Sequence, residues 1–170
     1  MEASITFKSI AKSFNNNHLL ADLSFGVEKG TTFVLIGENG SGKSVILKLL
    51  VGLLEKDAGV AYIDGKDVHS RGIETRSLTG YMGQLIDLDN SISVGENLII
   101  YARLHGLRAK EAKEKLNHWA DILEFSDLLK LMPDNVSYGN KRKIMFTRAI
   151  IHNPDVLVLD EPTKGLDPHS

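Results

Sequence analysis

No cysteine occurs among the 170 residues, which removes disulfides, thiolate nucleophiles and cysteine-based metal sites from consideration. Cytosolic exposure fits that absence. A run of about 20 apolar residues, the length a bilayer-crossing helix needs, is also missing. The opening MEASITFKSIAKSF holds no apolar stretch fit for a signal peptide, so any link to a membrane is expected to run through a partner. Charge of one sign is not in excess: the formal net charge is -2, and nucleic acid is not an expected partner. Internal repeats and low-complexity segments are absent too. What remains is 42% hydrophobic and 25% charged, an ordinary globular composition long enough for one substantial core and short for two.

Strands and helices alternate along the chain. Residues 4–10 read as a strand with Ile5, Phe7 and Ile10 on one side, and Leu19 to Val27 as a second. The turn residues Glu28-Lys29-Gly30 then lead to Thr31–Ile36, a nearly continuous apolar run expected to be a parallel strand covered on both faces. Val45, Ile46, Leu49, Leu50, Leu53 and Leu54 mark a helix with a broad apolar face. Val60–Ile63 reads as a strand ending in the turn pair Asp64-Gly65, and Gly80-Tyr81-Met82 as a short strand leading to Gln84. From Val94 to about Lys130 the pattern is helical, with Ala112, Leu116, Trp119, Ala120 and Leu123 at helical spacing. Tyr101 and Trp119 are expected in the core of this insert. Pro133 and Asp134 break the pattern, and a last helix buries Ile144, Met145, Phe146, Ala149, Ile150 and Ile151. Val156–Leu159 is the most strand-like segment. This alternation predicts an α/β fold with a mainly parallel core sheet. The basic run Lys141-Arg142-Lys143 is expected to be a solvated helix face. His18, His69, His105, His118 and His152 show no metal-ligand spacing and are expected on surfaces.

Gly37-Glu38-Asn39-Gly40-Ser41-Gly42-Lys43-Ser44 matches G-x-x-x-x-G-K-[ST], the Walker A pattern, with an apolar run before it and an amphipathic helix opening at Val45. A triphosphate is a dense cluster of negative oxygens, best held by many inward-pointing backbone N–H groups. Glycines allow the loop dihedrals and leave room for the phosphates, and the helix N-terminus adds roughly +0.5 of partial charge. Lys43 is expected on the β- and γ-phosphates and the Ser44 hydroxyl on Mg²⁺. Phosphate binding follows.

A phosphate loop alone does not separate kinases, GTPases, motors and transporters. Val156–Leu159 followed by Asp160-Glu161 is a Walker B pattern, and ligands of open α/β sheets sit beyond the carboxyl ends of strands. Asp160 is expected on Mg²⁺, through water, and Glu161 against the attacking water as base or orienter.

The order of Walker A, Gln84, Ser137-Tyr138-Gly139-Asn140, Walker B and Gly165-Leu166-Asp167 resembles the ATP-binding domain of ABC transporters over essentially the whole chain. The resemblance implies a P-loop NTPase with an N-terminal antiparallel β subdomain and an inserted helical subdomain. The chain divides on this reading into a β-rich part over 1–92, the helical subdomain over 93–135 and a signature, Walker B and D-loop part over 136–170. Phe14 takes the place of the aromatic that stacks on adenine. Gln84 takes the place of the glutamine that touches Mg²⁺ or the attacking water. Val136 to Asn140 resembles the LSGGQ signature, with Tyr138 for the first glycine and Asn140 for the glutamine. Ser137, Gly139 and Asn140 would complete the ATP site of a partner subunit, and the 23-residue step from Ser137 to Asp160 agrees with the family spacing. Asp167 belongs to the D-loop. The family's switch histidine lies some way beyond that loop; His169 is too close to be it and is read as exposed and incidental. The chain is thus expected to be a piece cut after the D-loop that binds ATP and hydrolyses it poorly alone.

The function implied is an ATP-binding and ATP-hydrolysing subunit, with ATP and Mg²⁺ as ligands, driving transport through a membrane permease. It would work beside a second ABC ATPase subunit, identical or not, on the cytoplasmic face of a membrane. Glu96 to Gly106 and Gly42 to Val45 are reminiscent of exporter and lipid-transport branches. A soluble ABC-type ATPase serving assembly, repair or translation stays open. A small GTPase fails on chemistry: guanine recognition by N-K-x-D needs a terminal carboxylate, whereas Asn140-Lys141-Arg142-Lys143 ends in a cation. A small-molecule kinase would leave the signature-like segment and D-loop without a role.

Overall fold

The computed structural model describes residues 3–15 and 17–165, and the chain divides into two units, Met1–Thr79 and Gly80–Ser170. In the first, β1 (Ala3–Phe14) pairs antiparallel with β2 (Asn17–Glu28) on one side and with β3 (Ala58–Ile63) on the other. The two-residue β4 (Lys66–Asp67) completes a sheet of order β2-β1-β3-β4. This is the expected antiparallel N-terminal subdomain. Phe7, Ile10, Leu20, Val27, Ala61 and Ile63 form its buried side, and the Phe7 and Phe25 rings stack with centroids 4.7 Å apart. The Asp64-Gly65 turn joins β3 to β4 with positive φ at both central residues (44° and 72°), the backbone a two-residue hairpin of matching twist requires.

Between Lys8 and Ala11 the β1–β3 register shifts, and Gly59 lies at this irregularity with φ +82°. A Cβ there would come within 2.5 Å of the Lys8 carbonyl oxygen and closer still to that of Ser9. Gly59→Ala is therefore expected to destabilise the protein by about 3 kcal/mol, through overpacking on backbone that cannot rotate away and an unfavourable φ. An unchanged denaturation midpoint in the variant would contradict the close approach.

The run Thr31–Ile36 does not form the strand expected of it. Phe33 stacks on Phe25 with centroids 5.3 Å apart, but Val34 and Ile36 are 67% and 91% exposed. A strand is made by its neighbours' hydrogen bonds, and no strand among the described residues pairs with this segment. After the loop, α1 (Lys43–Leu50) buries Ile46, Leu49 and Leu50. It stops earlier than its apolar periodicity suggests. Gly52, at φ +70°, donates to the Leu49 carbonyl and Leu53 to that of Lys48, a Schellman stop that leaves Leu53 exposed. A short α2 (Gly72–Ser77) follows.

From the unit boundary onward come β5 (Thr79–Met82), α3 (Val94–Leu104), α4 (Ala109–Ile122), α5 (Tyr138–Ile150) and β6 (Val156–Leu159), with β5 and β6 paired in a two-stranded sheet. The start of α3 carries a capping box: Ser93 accepts from the Glu96 N–H, and Glu96 accepts from the Ser93 N–H at 2.8 Å. One core joins the three helices through Val94, Leu98 and Ala102 of α3, Ala112, Leu116 and Ala120 of α4, and Ile144 of α5. Tyr101 and Trp119 pack against it, as the helical spacing implied. A second cluster of Met82, Met145 and Ala149 ties α5 to β5. Among the described residues no helix is long and apolar enough to cross a membrane.

Two surface expectations need correction. Arg142 is buried on α5, with 1% of its surface exposed, rather than solvated. His105 and His152, at the ends of α3 and α5, stack with ring centroids 3.9 Å apart beside Tyr101, and both are half-buried, as is His69. Burial pushes the His105 imidazole below its ordinary value. The unfolded chain then binds the proton more readily, so the stability this group contributes is complete above an unfolded pKa of about 6.5 and is lost as pH falls through the lower folded value. The denaturation midpoint is expected to fall between pH 7 and 5, and His105→Phe to flatten that fall. An equal fall in the variant would contradict the assignment.

Candidate functional site

The first group of site residues is the loop from Gly37 to Ser44. Gly40 and Gly42 have φ of +82° and +95°, which side chains rarely adopt, and an added Cβ at Gly37 would meet Ser41 Oγ at 2.8 Å. The loop closes on itself through the Ser41 N–H to the Glu38 carbonyl. Lys43 folds back across it, its ammonium donating to the carbonyl oxygens of Gly37 and Glu38 at 2.7 Å each. Gly42 is the N-cap of α1 and its carbonyl accepts the first helical bond from Ile46, so the N–H groups of Lys43, Ser44 and Val45 begin the helix. A cation and a helix N-terminus with no acidic residue in its first turn form a place suited to an anion. In the same unit Phe14 is 43% exposed at the end of β1. Lys12 Nζ sits 5.3 Å from its ring centroid and is paired with Asp57 at 2.8 Å. The Lys12 hydrogen bond, then the Ser13 N–H, hold the Asp57 carboxyl below its ordinary range.

The second group gathers where β5 and β6 end. The Asp160 N–H donates to the Met82 carbonyl at 2.9 Å, which sets Asp160 beside the segment Gly83-Gln84. Gln84 Nε2 then donates to Asp160 Oδ1 at 3.3 Å. Asp160 is buried, with 4% exposed. Burial first, then the negative charges of Asp160 and Asp87, push the Tyr81 phenol up to about 12. Glu161 adopts φ 49°, a left-handed backbone uncommon for a residue with a side chain, and its carboxylate pairs with Lys164 at 2.8 Å. Among the described residues no cluster of three or more His, Asp or Glu is arranged to hold a metal ion by itself.

Ser137 caps α5, its hydroxyl accepting from the Asn140 N–H at 3.4 Å. Ser137 is exposed, and Gly139 and Asn140 are half-buried in the first turn. Tyr138, which departs from the signature pattern, lies on Gly165: a Cβ there would meet the Tyr138 ring at 2.7 Å. Leu166, Asp167 and His169 lie outside the described residues.

A protein-family model described as ABC transporter matches residues 20–164, from β2 through the turn after Glu161. The chain belongs to the ABC transporter family. It carries that family's ATP-binding domain, so the resemblance carried by the spaced motifs holds. A solved structure titled "Structure of ATP binding subunit of ABC transporter" superposes with a TM-score of 0.89 at 29% identity, over 96% of this chain and 68% of that one. The α/β architecture is thereby that of an ABC ATPase. Among curated relatives, the "Nod factor export ATP-binding protein I" of Burkholderia thailandensis is 38% identical over 168 residues, 99% of this chain and 55% of the relative. Its namesake in Rhizobium etli is 32% identical over 98% of this chain and 52% of the relative. The chain spans about half the length of the curated relatives it matches.

Two further residues beside the site belong to none of the sequence motifs. Lys164, in the turn after Glu161, pairs with its carboxylate, a contact its i+3 spacing could have suggested. Arg142 was hidden in a basic run, although it stands three residues before Met145 and seven before Ala149, both of which are buried on α5.

Proposed function

We propose that this chain is the ATP-binding and ATP-hydrolysing part of a transporter that exports its substrate through a membrane permease. The observation that carries the hydrolytic reading is the cluster of Gln84, Asp160 and Glu161 at the ends of β5 and β6. One polar amide, one buried carboxylate and one carboxylate on a constrained backbone are the groups that metal-assisted attack by water needs.

In this reading the N–H groups of residues 37–45 and the Lys43 ammonium hold the triphosphate, with Phe14 against adenine. Lys43 is held at the loop by its bonds to the carbonyls of Gly37 and Glu38, so little ordering of this side chain remains for binding to supply. Ser44, Asp160 and Gln84 are the residues that would hold Mg²⁺, which supplies neutralisation of the β- and γ-phosphate charge. A hydroxyl, an amide oxygen and a carboxylate are each oxygen donors of the kind that ion takes, alongside substrate oxygens rather than within an all-protein cage. Glu161 orients the attacking water and accepts its proton. The exposed start of α5, with Ser137, Gly139 and Asn140, together with Asp167, serves the nucleotide of a second ATPase subunit.

Export as the direction is supported by the relatives, which are named as export ATP-binding proteins, and a permease as the partner by membership of the ABC transporter family. The protein would sit on the cytoplasmic face of the membrane through that permease. Purification of the intact, tagged protein from detergent-solubilised membranes tests this. A polytopic membrane protein is expected to co-purify in stoichiometric amount and to raise the turnover of ATP. Recovery with soluble assembly or ribosomal factors alone would favour the soluble ABC ATPase instead.

A further inference from the structure

Arg142 is the largest fully buried side chain among the described residues, and its hydrogen-bond partners are all main-chain oxygens. Nη1 donates to the carbonyls of Gly83 at 3.0 Å and Gln84 at 3.2 Å, and Nη2 donates to that of Glu161 at 2.7 Å. Nε has no hydrogen-bond partner among the described residues. A guanidinium taken out of water without a carboxylate loses more solvation than three neutral acceptors return. An apolar side chain of similar length would fill the same space more favourably. Packing therefore does not account for the arginine, and what the cation adds is geometry: one rigid planar fork fastens two loops that are 77 residues apart from Gln84 to Glu161.

The loops fastened are the ones that carry Gln84 and Glu161. Glu161 has a left-handed backbone, at φ 49°, which costs a residue with a side chain and is held by the bonds its surroundings supply. Its carbonyl receives two donors, Arg142 Nη2 and the Lys164 N–H at 3.1 Å. We propose that Arg142 is a positioning residue for hydrolysis, holding the backbones of Gln84 and Glu161 in one fixed relation so that the Glu161 carboxylate meets the attacking water. The proposal rests on the reading of Glu161 as the group that orients that water.

The test uses the intact protein and compares Arg142→Met and Arg142→Lys, each alone and combined with Glu161→Gln. Mg-ATP affinity, steady-state and single-turnover hydrolysis and thermal unfolding are measured together. A misplacement of about 1 Å can cost on the order of 10²-fold in rate, so turnover in Arg142→Met is expected to fall about 100-fold while Mg-ATP affinity stays within about twofold. Lys keeps the charge but cannot span three carbonyls, and is expected to recover only part of the loss. In the Glu161→Gln background either change is expected to add less than about twofold, because its effect runs through the same carboxylate. Undiminished turnover in a folded Arg142→Met protein would overturn the proposal, as would a full 100-fold additional loss on top of Glu161→Gln. Should the Met variant not fold, undiminished turnover in Arg142→Lys decides against it, and failure of both to fold would make the residue structural only. Normal turnover in Glu161→Gln alone would instead sink the underlying role of Glu161, a distinguishable result.

Discussion

Replacing Glu161 with glutamine is expected to leave Mg-ATP binding intact and to slow hydrolysis by about 10²–10⁴-fold, the usual contribution of a positioned general base. The substitution keeps the size of the side chain and its capacity to accept a hydrogen bond, but an amide cannot take the proton of the attacking water. The backbone should hold its position, because the left-handed turn is fixed by bonds to the Glu161 carbonyl from Arg142 and Lys164, neither of which involves the carboxylate. The Lys164 ammonium would lose its 2.8 Å ion pair, a contact on a half-exposed turn where ion pairs add little stability. Binding measured by calorimetry and turnover measured by phosphate release separate the two effects. Unchanged turnover would remove Glu161 from the reaction.

Lys43→Ala acts on the other side of the chemistry, on the ground-state grip. A preorganised cation aimed at phosphate oxygens contributes on the order of 3 kcal/mol, so affinity for Mg-ATP is expected to fall by about 10²-fold or more. The loop itself is expected to loosen as well, since the same ammonium bridges the Gly37 and Glu38 carbonyls. Lys43→Arg is expected not to restore binding, because the guanidinium is broader than an ammonium and cannot make the same compact contact with the two carbonyls. Equal affinity in wild type and Lys43→Ala would contradict the loop as a phosphate cradle.

Both groups of residues are legible in the sequence because their chemistry fixes residue type and spacing together. Positive φ at Gly40 and Gly42 is what a loop wrapped around anions demands, and the pattern G-x-x-x-x-G-K-S encodes it directly. The helical segment after Val94 and the turn at Asp64-Gly65 are legible for a similar reason, set by local periodicity and turn chemistry, whereas the antiparallel N-terminal sheet is what the family resemblance implies. What local sequence cannot carry is pairing across the chain. Thr31–Ile36 has the composition of a buried strand, yet strand formation depends on a neighbour's carbonyls and N–H groups, and none of the described strands supplies them. Arg142 illustrates the same limit in reverse. Its type and its flanking lysines say solvent, while its place on the face of α5 that holds Met145 and Ala149 says core. Only the carbonyls of Gly83, Gln84 and Glu161, contributed by distant segments, show what the guanidinium binds there.

Titrating the intact protein with Mg-ATP in a calorimeter puts the reading at greatest risk. A saturable heat that disappears in Lys43→Ala and persists in Glu161→Gln is the predicted result. No heat of binding from well-folded wild-type protein would contradict it.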